Sequence, residues 1–295
     1  MVPYVRKSFY KHFIDACEYD GISCEHLEAN SNSPIDDIAY KDYNLDAWDW
    51  AMKMTEKETQ QAVEGMYHNL NTLQSRSGNQ LPFTSINYGT CTSPEGRMVI
   101  KALLEGSIKG VGKLHKTSIF PCGIFQCMKG VNRKPGDPNY DLFKLALRST
   151  AQRLYPNYAN VDWSGNAGYD VNDPTTYFST MGCRTANGWD INGLGQQKDG
   201  RGNICPVTII LPTIAMESKK IYESGTSGSA SLEDVFFYLL NKKIHEAKDM
   251  LIERFEWICS QNPASAKFMY ENGLMAGYDG KDIRSALKHG TLAIG

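Results

Sequence analysis

The chain has 295 residues, and its 31 Lys and Arg against 33 Asp and Glu give a formal net charge of −2 at pH 7. Charged residues make up 22% and hydrophobic residues 41%, an ordinary globular balance that excludes an intrinsically disordered chain. Non-specific nucleic-acid binding is disfavoured too, because it needs a clear excess of cations to neutralise phosphates. We therefore expect no nucleic-acid partner.

Membrane and secretory signals are weak in this sequence. No stretch approaches the roughly 18 uncharged apolar residues of a membrane span, and the first residues lack the apolar region of a signal peptide. Eight cysteines in 295 residues are too sparse for a disulfide scaffold. We expect a cytoplasmic protein with reduced thiols and no membrane partner.

The N-terminal part reads as helical. Residues 1–19 carry aromatic and aliphatic side chains at helical spacing, which predicts a first helix. Residues 40–50 are acidic and aromatic, and we expect a surface segment with Trp48 and Trp50 turned inward.

A second helix is predicted over residues 55–78. Thr55 and Glu58 match the S/T-x-x-E capping box that starts a helix. Apolar residues then recur on one face, and Gly78 is placed to end the helix.

Strands and helices alternate through the middle of the chain. A strand-like run at 83–88 is followed by a helix that opens at Pro94. A second strand is predicted over 117–128 with a bend at Pro121, and a third helix over 140–154. This alternation predicts an α/β protein built from βα units.

The last third begins with a region of little periodicity. Residues 157–205 are rich in Gly, Asn, Asp and Thr and predict a long loop, and the apolar run 206–215 predicts a buried strand. Ser231 with Asp234 caps a long helix, and residues 284–295 read as a helix followed by a strand.

The strongest candidate for a catalytic segment is residues 179–207, STMGCRTANGWDINGLGQQKDGRGNICPV. Cys183 lies between Gly182 and Arg184, where small neighbours let a sulfur approach a ligand closely. Arg184 can lower the pKa of a thiol or bind an anion. From the residues alone, Cys183 is either a catalytic cysteine or a buried structural thiol.

Long segments resemble the anaerobic (class III) ribonucleoside-triphosphate reductase family, especially its Gram-positive and phage members. The finger-loop segment MGCR, then GRGN and an apolar run ending LPTIA, carries the resemblance. Four further segments match in order: AVEGMYHNLNTLQSRSGNQLPFTSINYGT (62–90), KTSIFPCGIFQCMKGVN (116–132), RLYPNYANVDW (153–163) and LKHGTLAIG (287–295). The resemblance covers nearly the whole chain.

The resemblance implies a fold and a radical chemistry. The fold is a ten-stranded α/β barrel of the glycyl-radical and ribonucleotide reductase type, of which residues 1–295 form a partial catalytic domain. A finger loop, about 179–207 here, threads the barrel. Cys183 matches the cysteine that becomes a thiyl radical and abstracts the 3′ hydrogen of the ribonucleotide.

The resemblance also implies a reductant. In the formate-using branch, formate lies near the asparagine of G-R-x-N and the methionine two residues before the thiyl cysteine, which correspond to Asn203 and Met181. Asn offers amide donors to a carboxylate, and Met excludes water. Cys205 keeps an alternative open, because some relatives use a finger-loop thiol and a protein reductant.

Further residues are candidates for substrate binding. Arg76, Asn79 and Gln80 precede the predicted strand at 83–88, and strand ends on barrels often carry the site. Arg184 joins them as a possible anion ligand. No C-x-x-C occurs, so we expect no metal site and no bound cofactor within this segment.

Other parts of the family pattern are absent: the N-terminal ATP cone, the early barrel-strand cysteine, the C-terminal zinc site and the glycyl-radical motif. The resemblance therefore implies a fragment, inactive alone, whose partners are a ribonucleoside triphosphate, a radical-SAM activase and a complementing reductase chain or a homodimer. Two alternatives stay open. One is a non-catalytic fragment or subunit, and the other is a glycyl-radical enzyme of the formate-lyase type, although no Cys-Cys pair occurs.

Overall fold

The structure is a computed structural model. It describes residues 1–23, 33–35, 44–72, 81–163, 170–177, 179–180, 186–187, 203–272, 274–275, 277–287 and 290–294. The chain divides into two compact units, Met1–Gly188 and Trp189–Gly295, which are described separately.

Two long helices open the first unit: α1 (Val2–Tyr19), as predicted, and α2 (Leu45–Thr72). Asn44 starts α2, since its side-chain Oδ1 accepts a hydrogen bond from Ala47 N at 3.0 Å. A buried cluster joins these helices and the short segment at 33–35. Its members are Phe9, Tyr10, Phe13, Cys17, Ile35, Ala47 and Ala51.

The predicted start of the second helix was wrong. The helix begins ten residues before Thr55, so Thr55 is a fully buried interior residue and not an N-cap. Trp48 packs against the α1–α2 cluster as predicted, but Trp50 is half-exposed. The acidic segment before Thr55 therefore belongs largely to the helix, because tertiary packing extends it past the local capping signal.

A parallel three-stranded sheet forms the centre of the first unit. Its strands are β1 (Ser85–Tyr88), β2 (Cys122–Cys127) and β3 (Asn157–Asn160), in the order β1-β2-β3. Two helices connect them, α3 (Pro94–Lys109) and α4 (Tyr140–Arg153). This is the predicted βα alternation, and the helix start at Pro94 is confirmed, with Ser93 as its N-cap.

The two faces of this sheet differ. Phe125 is buried against residues of α3 and α4, among them Leu104 and Leu142, so one face is covered by helices. Side chains alternate along strands, and paired residues share a face. The pairs Asn87–Ile124 and Ile124–Asn157 therefore form a row on the opposite face, called here the inner face.

Two strand predictions need correction in this unit. The strand predicted over 117–128 begins only at Cys122, after the cis peptide bond before Pro121. The region 157–205 is not all loop, since it opens with β3 and contains a short hairpin. That hairpin pairs β4 (Ser179–Thr180) antiparallel with β5 (Ala186–Asn187).

The second unit pairs β6 (Asn203–Val207) in parallel with β7 (Thr291–Ile294). Its helices are α5 (Leu211–Glu223), α6 (Leu232–Cys259), α7 (Lys267–Glu271) and α8 (Ile283–Leu287). The capping box at Ser231 and Asp234 and the final helix and strand are confirmed.

The strand predicted over 206–215 was wrong beyond Val207. A helix begins at Leu211 with Pro212 in its first turn, a position that Pro tolerates. Short apolar runs fit a buried strand and a helix equally well, which explains the error. The described residues establish a mixed α/β protein with a small parallel sheet, and the ten-stranded barrel stays a prediction.

Candidate functional site

Most of the predicted site residues lie outside the described residues. They are Arg76, Asn79, Gln80, Met181, Cys183 and Arg184. Asn203 is described only through its backbone, which begins β6 and pairs with Thr291. The structure therefore describes the segments that flank the predicted site.

The hairpin β4–β5 brackets the predicted radical cysteine. Ser179 pairs with Asn187 and Thr180 with Ala186, so five residues separate the paired strands. Cys183 is the third of these five in the sequence.

Asn87 of β1 holds β4 against the sheet. Its side-chain Nδ2 donates to Thr180 O at 2.8 Å, and its Oδ1 accepts from Thr180 N at 3.2 Å. One amide thus satisfies both main-chain groups of a residue 93 positions further along the chain. This contact places Thr180 at the inner face of the sheet.

A pocket of about 250 Å³ lies where Thr180 meets the sheet. It is lined by Ile124, Asn157, Tyr158, Ala159, Asn160, Trp163 and Thr180. On the inner face, Ile124 and Ala159 provide apolar lining, and Asn157 and Thr180 provide one amide and one hydroxyl. The Tyr158 ring is turned to the helix-covered face, where it packs against Phe125 and Phe143. Such a lining suits an uncharged ligand part that exchanges a few hydrogen bonds.

Two titratable groups near this pocket, Tyr158 and Cys127, have pKa values raised above their ordinary values. Burial raises the pKa of Tyr158, although a hydrogen bond with Thr150 at 2.9 Å opposes the shift. Burial likewise raises the pKa of the Cys127 thiol at the end of β2. Cys127 is therefore a poor source of thiolate.

Two buried asparagines, which sequence reasoning missed, fix the carboxyl edge of the sheet. Asn132 Nδ2 donates to Gly89 O at 3.1 Å and to Gln126 O at 2.9 Å. Asn139 Nδ2 donates to Gly89 O at 3.0 Å and to Cys91 O at 2.9 Å. Only a loose signal pointed to them, since each follows a strand within a Gly- and Pro-containing turn.

Gly89 explains why these loops approach so closely. Its φ is +128°, and a Cβ there would lie 2.9 Å from Gln126 O. Only glycine allows both the conformation and the approach. The ends of β1 and β2 are thus fixed beside the inner face.

Cys205 lies in β6, where the register shifts between Asn203 and Cys205. The Cys205 side chain is half-exposed, and its Sγ lies 3.9 Å from Pro206 O. Cys122, in contrast, is buried, with its Sγ 3.7 Å from Tyr155 Oη.

Neither a metal cluster nor a membrane helix occurs in the part of the chain that the structure describes. No group of three or more His, Cys, Asp or Glu residues there could hold a metal ion. None of the described helices is long and apolar enough to cross a membrane.

The fold and the flanks of the site define a mixed α/β protein with a small parallel sheet, against which Asn87 holds strand β4. The family model described as "Anaerobic ribonucleoside-triphosphate reductase" matches residues 1–295. The chain belongs to this family, which confirms the resemblance found in the sequence.

Proteins named anaerobic ribonucleoside-triphosphate reductase are similar to most of the chain. The protein of Haemophilus influenzae is 32% identical over 249 residues, which is 82% of this chain and 32% of the relative. That of Escherichia coli K12 is 33% identical over 79% of this chain and 30% of the relative. That of Enterobacteria phage T4 is 30% identical over 92% and 39% respectively. The chain thus spans about a third of the length of these relatives.

Proposed function

We propose that the chain forms part of the catalytic barrel of an enzyme that reduces ribonucleoside triphosphates to 2′-deoxyribonucleotides for DNA synthesis under anaerobic conditions. The observation that carries this proposal is the family match over residues 1–295, which includes the complete finger-loop segment. The parallel sheet is consistent with one segment of a ten-stranded barrel. In that barrel, residues 179–207 form the central finger loop.

Cys183 is the proposed radical residue. As a thiyl radical, it takes a hydrogen atom from C3′ of the ribose, so the C3′–H bond breaks and an S–H bond forms. The 2′ hydroxyl then leaves with a proton as water. After reduction at C2′, the Cys183 S–H returns its hydrogen atom to C3′, which re-forms the C3′–H bond and the thiyl radical. The Asn157 amide and the Thr180 hydroxyl of the pocket suit a ribose, because they exchange hydrogen bonds with its hydroxyl groups.

Formate is the proposed reductant, with Met181 and Asn203 shaping its site. The carboxylate accepts hydrogen bonds from the Asn203 amide, and Met181 keeps water away. Formate gives up two electrons and a proton as it becomes carbon dioxide, which balances the reduction at C2′. The half-exposed Cys205 keeps a thiol reductant as the competing assignment.

Substrate phosphates are proposed to lie near Arg76, Asn79, Gln80 and Arg184. The guanidinium groups match phosphate oxygens in bidentate geometry, and the amides add neutral donors. Three of these residues separate α2 from β1 in the sequence.

The proposed complete enzyme needs parts of the family sequence to which these 295 residues do not correspond. We propose a glycyl radical, a zinc site and an ATP cone on the remaining reductase sequence. A radical-SAM activase would generate the glycyl radical, and the assembly would be a homodimer or include a complementing chain. The expected location is the cytoplasm.

The test is anaerobic reduction of ribonucleoside triphosphates by the full reductase that contains residues 1–295. Activity should require formate and the activase, and Cys183→Ala should abolish it. Cys205→Ser should retain formate-dependent reduction, which makes it the matched cysteine control.

Two results would contradict this assignment. Loss of formate-dependent reduction in Cys205→Ser alone would assign the reductant role to a thiol. Full activity in Cys183→Ala would remove Cys183 from the chemistry.

A further inference from the structure

We infer that Asn87 is a positioning residue that fixes strand β4, and with it the chain that leads into the finger loop, on the inner face of the sheet. The inference deepens the proposed function, because its catalytic consequence depends on Cys183 being the radical residue. The fixing of β4 itself depends only on contacts among described residues.

Geometry carries the first step. Asn87 uses both ends of its amide on a single residue: Nδ2 donates to Thr180 O at 2.8 Å and Oδ1 accepts from Thr180 N at 3.2 Å. This reproduces the two-way exchange by which neighbouring strands pair. The Asn87 side chain of β1 therefore bonds to the main chain of β4 as a neighbouring strand would.

The size of the hairpin carries the second step. β4 and β5 contribute two residue pairs, Ser179 with Asn187 and Thr180 with Ala186. An isolated two-stranded hairpin is marginal even when longer. The two hydrogen bonds from the Asn87 amide therefore contribute a large part of the stabilisation that holds Thr180 in place.

The rigidity of the anchor carries the third step. Asn87 lies within β1, with Ile124 of β2 as its register partner. The next turn along is fixed by Asn132 and Asn139 through Gly89 O. Asn87 therefore belongs to a firmly held strand, and its hydrogen bonds hold Thr180 in a fixed position relative to that strand.

The consequence follows from chain order. Thr180 is one residue before Met181 and three before Cys183. A small displacement of reacting groups, on the order of 1 Å, can lower a rate by about a hundredfold. Loss of the Asn87 amide should lower kcat of the reductase without a matching change in nucleotide KM.

Hydrogen exchange of the 295-residue chain tests the anchor without any activity. In Asn87→Ala, the Thr180 amide loses its acceptor and should exchange at least about tenfold faster. Asn87→Asp keeps an oxygen to accept from Thr180 N and loses the donor to Thr180 O, so its exchange should lie between wild type and Asn87→Ala. Ser85→Ala changes the same strand two residues earlier and should leave Thr180 unchanged.

Exchange results can overturn the inference in two ways. An unchanged Thr180 amide in Asn87→Ala would show that the anchor is not Asn87. Equally faster exchange in β2 and β3 would show general unfolding instead of local release.

Kinetics of the full reductase then separate this inference from the proposed function. A kcat about a hundredfold lower in Asn87→Ala, with KM retained, supports the positioning role. A wild-type reductase without formate-dependent reduction would refute the proposed function and leave the exchange result standing. Normal kcat in Asn87→Ala together with faster Thr180 exchange would overturn the positioning role.

Discussion

Glu95 is a buried anion that ties together segments of the first unit. Its side chain is inaccessible to solvent, and its Oε1 accepts from Arg6 Nε at 2.7 Å and from Ile35 N at 3.0 Å. We expect Glu95→Gln to lower the free energy of unfolding by about 3 kcal/mol, because a neutral amide replaces the buried carboxylate that accepts from Arg6 and Ile35 N. Urea unfolding at pH 7 measures this through the midpoint, with an unchanged m-value.

Glu56 provides a matched control for this prediction. Its Oε1 lies 2.7 Å from Lys101 Nζ, and both side chains are more than a third exposed. Glu56→Gln should cost less than about 1 kcal/mol, since exposed ion pairs contribute little. Similar losses of unfolding free energy in the two variants would contradict the prediction that a buried ion pair matters more than an exposed one.

The Glu95 carboxyl also has a pH signature. Burial alone would raise its pKa, but hydrogen bonds from Arg6 and from backbone N–H groups outweigh burial and hold the pKa below its ordinary value. A lowered pKa in the folded state stabilises the protein above the unfolded-state pKa, and this stabilisation is lost as the pH falls through the folded-state value. The stability difference between wild type and Glu95→Gln should therefore narrow below about pH 4. A constant difference down to pH 3 would contradict this.

At the scale of elements, the position at which α2 begins decides whether replacing Thr55 stabilises or destabilises the protein. Thr55 is fully buried, and its Oγ1 has no hydrogen-bond partner among the described residues. Thr55→Val removes a buried unsatisfied hydroxyl at nearly constant volume. We expect it to raise the free energy of unfolding by about 1 kcal/mol, measured by urea unfolding.

The capping-box interpretation predicts the opposite result for the same variant. Loss of a Thr N-cap costs about 1 kcal/mol. Asn44→Ala should show this cost instead, because Asn44 Oδ1 accepts from Ala47 N. Destabilisation by Thr55→Val would contradict a helix that runs continuously from Leu45.

These elements show which structural features local sequence can predict. The helix starts at Ser93 and Ser231 were predictable, because a cap and the residue it bonds lie within one turn. The strand at 206–215 was mispredicted, since an apolar run does not distinguish strand from helix. The contact between Asn87 and Thr180 spans 93 positions, and no local pattern encodes it.

The candidate site follows the same division. The Cys183 motif is short and contiguous, so the sequence alone suggests a role for it, and that role stays a prediction. The Asn132 and Asn139 network depends on loops that meet only after the parallel strands pair, so its position required the structure. The local sequence around each asparagine does not show which distant loops it will contact.

At the scale of the whole molecule, helix α6 exposes an apolar surface. Val235, Ala247 and Leu251 are buried, whereas Phe237, Tyr238 and Trp257 are exposed by 62%, 69% and 57%. The chain spans about a third of its relatives' length. We therefore expect the remaining reductase sequence to cover part of this helix, since large exposed apolar surfaces mark interaction sites.

Phe237→Ser tests this expectation by separating folding from assembly. In the 295-residue chain it should change the free energy of unfolding by less than about 0.5 kcal/mol, because the side chain is already exposed. Binding of the complementing reductase chain proposed above should weaken roughly tenfold or more, as expected when an aromatic contact is truncated. Isothermal titration calorimetry measures the binding, and Lys242→Ser, at an exposed charged residue of the same helix, should leave it unchanged. Equal binding by Phe237→Ser and Lys242→Ser would show that the surface around Phe237 is not covered in the assembled enzyme.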